Sequence, residues 1–260
     1  MPDPPSVPLP SRRILLTGAT GGLGRAACEL LAGAGARLGL VARRPGPLEE
    51  LAAGLTASGA DVFTVAADLA APGGAERVAA ALRDRWGGLE GIAHLAGVVA
   101  LGRSDELAPE TWDRVIAADL TAPWLLFRAC LPLLRTGDRP SVVMVASTLG
   151  LAGIRGGAAY CAAKGGLVNL VRALALDHAP EGIRVHALCP GPVRAGMLLE
   201  AARARGEGFL DRLRERHPAG RLVAPGEVAR VLAWLLSPGS EGLTGEVTVV
   251  DGGFTAGFLE

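Results

Sequence analysis

The sequence predicts an α/β fold, a doubly wound parallel sheet in a single domain, on three observations. Short β-branched or apolar runs alternate with longer Ala- and Leu-rich stretches; those runs are apolar almost throughout; and a glycine-rich turn separates the first run from the first helical stretch. Strands linked by helices of this length imply right-handed crossovers and a sheet covered on both faces. Burial on both faces removes the alternation that a half-exposed strand would show.

Taken in order, Ile14–Thr17 is the first strand, Leu23–Ala34 a helix, Arg37–Ala42 the second strand and Leu48–Ser58 a helix. Asp61–Ala66 and Ile92–Leu95 supply strands three and four around a helix at Ala75–Trp86. A long helical tract, Pro109–Arg135, precedes the strand Ser141–Ala146; Ala158–His178 is helical and Arg184–Cys189 is strand. Helices at Ala201–Arg216 and Pro225–Leu236 lead to a closing strand, Val247–Val250. No internal repeat is apparent.

The 260 residues fit one large domain, and a hydrophobic half with a charged fifth is the balance of a chain with a sizeable core. With 26 acidic and 26 basic residues, no bulk field favours nucleic acid or anionic lipid. No apolar run is expected to span a bilayer. Residues 1–11 hold five prolines and lack a signal peptide's layout, so they read as a flexible leader before a domain of residues 12–260. Cys28, Cys130, Cys161 and Cys189 are widely spaced and read as reduced thiols in a cytoplasmic protein, with no metal site.

The turn from Thr17 to Gly24, T-G-A-T-G-G-L-G, has the make-up of a phosphate cradle. Gly18 permits the tight turn, Gly22 an approach of backbone to pyrophosphate, and Gly24 close packing of helix on strand. The helix start offers N–H groups and a positive dipole end to phosphates. Thr17, Thr20 and Leu23 complete the candidate cofactor contacts here. The second strand ends at Ala42, where an NAD-selective site would place a carboxylate for the ribose 2′-hydroxyl. Arg43 and Arg44 follow instead, two guanidiniums suited to a 2′-phosphate, so NADP(H) is favoured over NAD(H).

Tyr160 is the one tyrosine and Lys164 the one lysine, in a chain whose other basic residues are arginines. Four apart in a helix, they share a face. A phenol titrates near 10, too high to trade protons easily at neutral pH, and an ammonium nearby is expected to lower that value. Such a tyrosine can act as general acid or base at a carbonyl or alcohol oxygen.

With these motifs the chain resembles the single-domain type of short-chain dehydrogenase/reductase, over Arg12 to Thr255. T-G-x-x-x-G-x-G, Y-x-x-x-K and Ser147, thirteen residues before Tyr160, all stand at the family's spacing. The resemblance implies a Rossmann-like fold in which Ser147 orients the substrate oxygen, Tyr160 is the acid/base and Lys164 also binds the nicotinamide ribose. It implies that Asp68 and Leu69 lie by adenine, that Ala96 and Gly97 follow strand four, and that Pro190, Gly191 and Val193 flank the nicotinamide. Three positions depart from the pattern: Asp119 stands for the family's catalytic Asn, His94 for the first Asn of N-N-A-G, and Ala195 for a Thr. An ionised Asp accepts hydrogen bonds but donates none, so either drift in a chain with one Asn or a retuned proton relay accounts for Asp119.

The stretch 195–217 is placed as a substrate lid, and assembly as a homodimer or homotetramer is implied by resemblance alone. The reading is an NADP(H)-dependent enzyme interconverting a small-molecule ketone or aldehyde and an alcohol. A nucleotide-binding sensor of the same fold, with little turnover, is the alternative.

Overall fold

Residues 7–257 are described by the structure, a computed structural model. Strands β1 (Arg13–Thr17), β2 (Arg37–Ala42), β3 (Val62–Ala66), β4 (Gly91–His94), β5 (Ser141–Val145), β6 (Arg184–Pro190) and β7 (Val247–Val250) pair in parallel. Their order is β3-β2-β1-β4-β5-β6-β7, so successive connections run outward in opposite directions from the β1–β4 seam. At such a seam the loops part beyond the strand C-termini and leave a crevice.

Successive residues of β1 show why the strands are apolar throughout. Ile14 and Leu16 enter the core shared with α1 (Gly22–Gly33), α2 (Pro45–Ala57) and α9 (Pro225–Leu236). Leu15 enters the opposite core, beneath α3 (Gly74–Trp86), α5 (Ala122–Leu134) and α6 (Ala158–His178). All three side chains are fully buried, because alternate side chains point to opposite covered faces.

Three expectations change. The domain begins before Arg12: Leu9 is fully buried in the α1 core, and the amides of Leu9 and Ser11 donate to Ala34 and Gly35. Residues 1–6 of the expected leader lie outside the described residues. The expected helix at 201–216 is two, α7 (Gly196–Arg205) and α8 (Phe209–Glu215), divided where Gly206 and Gly208 take φ of 76° and 75°. Side chains disfavour that conformation, so the glycines end one helix and start the next.

The third change lies in the long tract. It runs as α4 (Pro109–Ile116), a π turn (Ala117–Thr121) and α5 without a break, and by length and composition this helix could cross a membrane. Its α5 segment, however, buries Leu126, Phe127, Cys130 and Leu133 in the domain core, as a core helix does. In the π turn the Ala122 amide reaches back five residues to the Ala117 carbonyl. Nothing in the sequence spacing announces this.

Candidate active site

One cavity of about 1490 Å³ opens at the C-terminal ends of the strands, and the glycine turn, the β4 loop and the Ser147–Tyr160–Lys164 set all line it. Gly18 sits at φ 67°, and a Cβ there would fall 2.7 Å from the Ala96 amide nitrogen. The bare backbone therefore lets β1's turn lie flat against the β4 loop. Gly24 packs on the Gly18 and Ala19 carbonyls of the turn just past β1. Gly22 lines the cavity, and a Cβ on it would also meet Ala195 Cβ at 2.8 Å, so it abuts the start of α7. Helix α1 starts at Gly21 with no side-chain cap, leaving its first amides free for an anion.

The other predicted cofactor residues divide. Thr20, Leu23, Arg43, Asp68, Leu69, Ala96, Gly97, Pro190, Gly191 and Val193 line the cavity. Arg44 does not; it lies at the start of α2, so Arg43 is the one of the pair on the cavity wall. Thr17 is wholly buried, its hydroxyl accepting from the Leu95 and Ala96 amides at 3.2 and 3.1 Å and meeting His94 Nδ1 at 3.1 Å. It shapes the β4 loop from behind the cavity wall. With two amides already donating to it, the Thr17 hydroxyl gives its own proton to His94 Nδ1, which leaves the imidazole proton on Nε2. His94 is fully enclosed, and burial, helped by the charge of Lys164, lowers its pKa to about 3. It is neutral at any working pH.

Ser147, just past β5, accepts from the Leu149 amide at 3.1 Å, which orients its hydroxyl. Tyr160 and Lys164 sit on the first turns of α6, the ammonium 5.7 Å from the phenol ring centre. Lys164 Nζ donates to the Val145 carbonyl at 3.1 Å and stands 3.4 Å from Asp119 Oδ2. Asp119 sits in the π turn, fully buried, and its other oxygen accepts from the Val98 amide at 2.7 Å. The π turn thus aims a carboxylate at both the lysine and the β4 loop, an irregularity of the kind that recurs at functional sites.

The expected downward shift of Tyr160 is reversed. Burial, the largest cause, raises the phenol above 10, and the Asp119 charge raises it further; Lys164 and Ser147 oppose them. The sequence reading counted the ammonium and missed the desolvation. Asp119 is also raised, by burial against the pull of Lys164. Among the described residues no cluster of His, Cys, Asp and Glu is arranged to hold a metal ion, and all four cysteines are free.

A family model described as enoyl-(acyl carrier protein) reductase matches residues 18–255. The chain is 33% identical to 2-(S)-hydroxypropyl-CoM dehydrogenase 3 of Xanthobacter autotrophicus, over 94% of this chain and 96% of that protein. It is also 33% identical to meso-2,3-butanediol dehydrogenase of Serratia marcescens, over 94% of each. Among solved structures, a variant of actinorhodin polyketide ketoreductase with NADPH is similar at a TM-score of 0.89 and 31% identity, covering 94% of this chain and 97% of that one.

Proposed function

The chain belongs to the short-chain dehydrogenase/reductase family, oxidoreductases of alcohols and ketones that work with a nicotinamide cofactor, and from that premise we propose an NADP(H)-dependent enzyme with Tyr160 as general acid/base. The observation that carries the reading is the meeting of Ser147, Tyr160 and Lys164 on the wall of the cavity that the glycine turn also lines. The residues fit a dinucleotide: a cradle that a Cβ at Gly18 would spoil, uncapped α1 amides for phosphate, and Arg43 with no carboxylate at Ala42. When bound, the nicotinamide supplies or takes the hydride.

The protein's own residues handle the proton. Ser147, its oxygen already accepting from Leu149, has its hydroxyl proton left to donate to the substrate oxygen. Tyr160 gives its proton to that oxygen during reduction and takes one from it during oxidation. Lys164, fixed by the Val145 carbonyl, holds a positive charge beside the phenol and opposes the cost of ionising it in a buried place. Asp119 positions Lys164 and biases the phenol toward its protonated form.

In the same proposal the 195–217 segment is the substrate lid, and the chain works as a homodimer or homotetramer. Asp119 in place of the family's catalytic Asn, and Ala195 in place of its Thr, favour a second reading, a nucleotide-binding sensor of the same fold with little turnover. A panel of ketones and secondary alcohols, each run with NADPH or NADP+ and with NADH or NAD+, decides between them. Turnover with a preference for the phosphorylated cofactor supports the enzyme; tight cofactor binding without turnover from neutral to alkaline pH supports the sensor.

A further inference from the structure

The cavity extends past the glycine turn and the Ser147–Tyr160–Lys164 set onto residues of α7 and α8. There Arg205, the last residue of α7, and Arg216, just past α8, both line the wall. Each guanidinium rests on an aromatic ring of the same wall: Arg205 lies 4.9 Å from the Phe209 ring centre and Arg216 5.3 Å from that of Phe254. Phe254 is itself stacked on the buried His217 at 4.6 Å, so the support beneath Arg216 is anchored in the fold.

Several exposed arginines are neutralised by a neighbouring acid. Arg85, Arg103, Arg135, Arg214 and Arg221 are each ion-paired with a carboxylate. Arg205 and Arg216 have no such partner among the described residues, although Glu200 and Glu215 line the same wall. A planar guanidinium stacked on a ring keeps its N–H fork free, and that fork matches the oxygens of a carboxylate, sulfonate or phosphate.

We propose that Arg205 and Arg216 form an anion subsite, and that the substrate is a carbonyl compound or alcohol bearing an acidic group several bonds from the reacting carbon. This rests on the enzyme reading above for its reacting carbon but not for its anion. Leu149, Ile154 and Met197, on the wall of the same cavity, offer apolar surface to the chain connecting the two ends.

The test uses oxo-alkanoates, oxo-alkanesulfonates and oxo-alkyl phosphates, each against a neutral ester of equal length, with the wild type and the Arg205→Gln/Arg216→Gln double variant. The wild type is expected to prefer at least one acid by about tenfold or more in kcat/KM, the scale of a charge-assisted contact, and the double variant to bring that ratio toward one. The arm with the largest ratio names the head group. A ratio near one in the wild type, or one unchanged in the double variant, overturns the subsite. If no compound turns over, calorimetry with hexanoate, hexanesulfonate and hexyl phosphate on the NADP+-loaded protein decides the subsite alone, and the enzyme reading is left to its own panel. Binding of an anion that the double variant loses upholds it, and failure to bind any of the three overturns it.

Discussion

At the scale of single residues, the chemistry turns on how three buried groups, Tyr160, Lys164 and Asp119, share charge. Removing the phenol oxygen in Tyr160→Phe should lower kcat by about a thousandfold or more, within the scale of a lost general acid/base, while cofactor affinity stays within a few-fold. Fluorescence titration with NADPH beside steady-state assays checks both. Asp119→Asn tests the other end of the set. The Asp119 charge raises the Tyr160 pKa, so deleting that charge should lower it. Alcohol oxidation needs the ionised phenol, so its alkaline-rising limb should move to lower pH in the variant. An unmoved limb would mean that Asp119 only packs. The Tyr160–Lys164–Ser147 set was legible because rare residues stood at fixed spacing. The sign of the phenol's shift was not, because desolvation depends on what covers a residue and a sequence lists no cover.

At the scale of elements, spacing predicted every strand and helix outside 196–216 to within a few residues, since apolar runs bounded by Gly and Pro leave few alternatives. Besides the π turn at Ala117–Thr121, two devices escaped it. The break between α7 and α8 was written in Gly206 and Gly208 and was readable in principle. The contact of Gly22 with Ala195 was not, because it joins positions 173 apart in sequence. That contact predicts that Gly22→Val presses directly on the first residues of α7. Loss of NADPH affinity is expected together with faster proteolysis at 196–216, while the Gly33→Ala control, at a position with open space, stays near wild type on both measures.

At the scale of the whole molecule, stability should fail early on the acid side. Burial holds His94 at about 3 and His186 at about 4, both below their unfolded value near 6.5. The unfolded chain therefore gains protons first, so their contribution is complete above pH 6.5 and drains as pH falls toward those folded values. Each histidine costs about 1.4 kcal/mol per pH unit in that window. Tm by circular dichroism should drop from pH 7 to 5, and replacing both histidines with Asn should flatten the drop. The segment before β1 matters as well: Leu9→Ala should cost about 2–5 kcal/mol, a core penalty at a position the sequence placed in a loose leader. The π turn, finally, bears on how this chain can change in length. It holds one residue more than an α-turn, and one residue is worth about 100° of helical rotation. A single-residue deletion between Ala117 and Thr121 would make the helix regular, yet it would swing either Asp119 away from Lys164 or Leu126 and Phe127 away from the core. Descendants can gain or lose residues in the surface loops, but at this turn the count itself is under constraint.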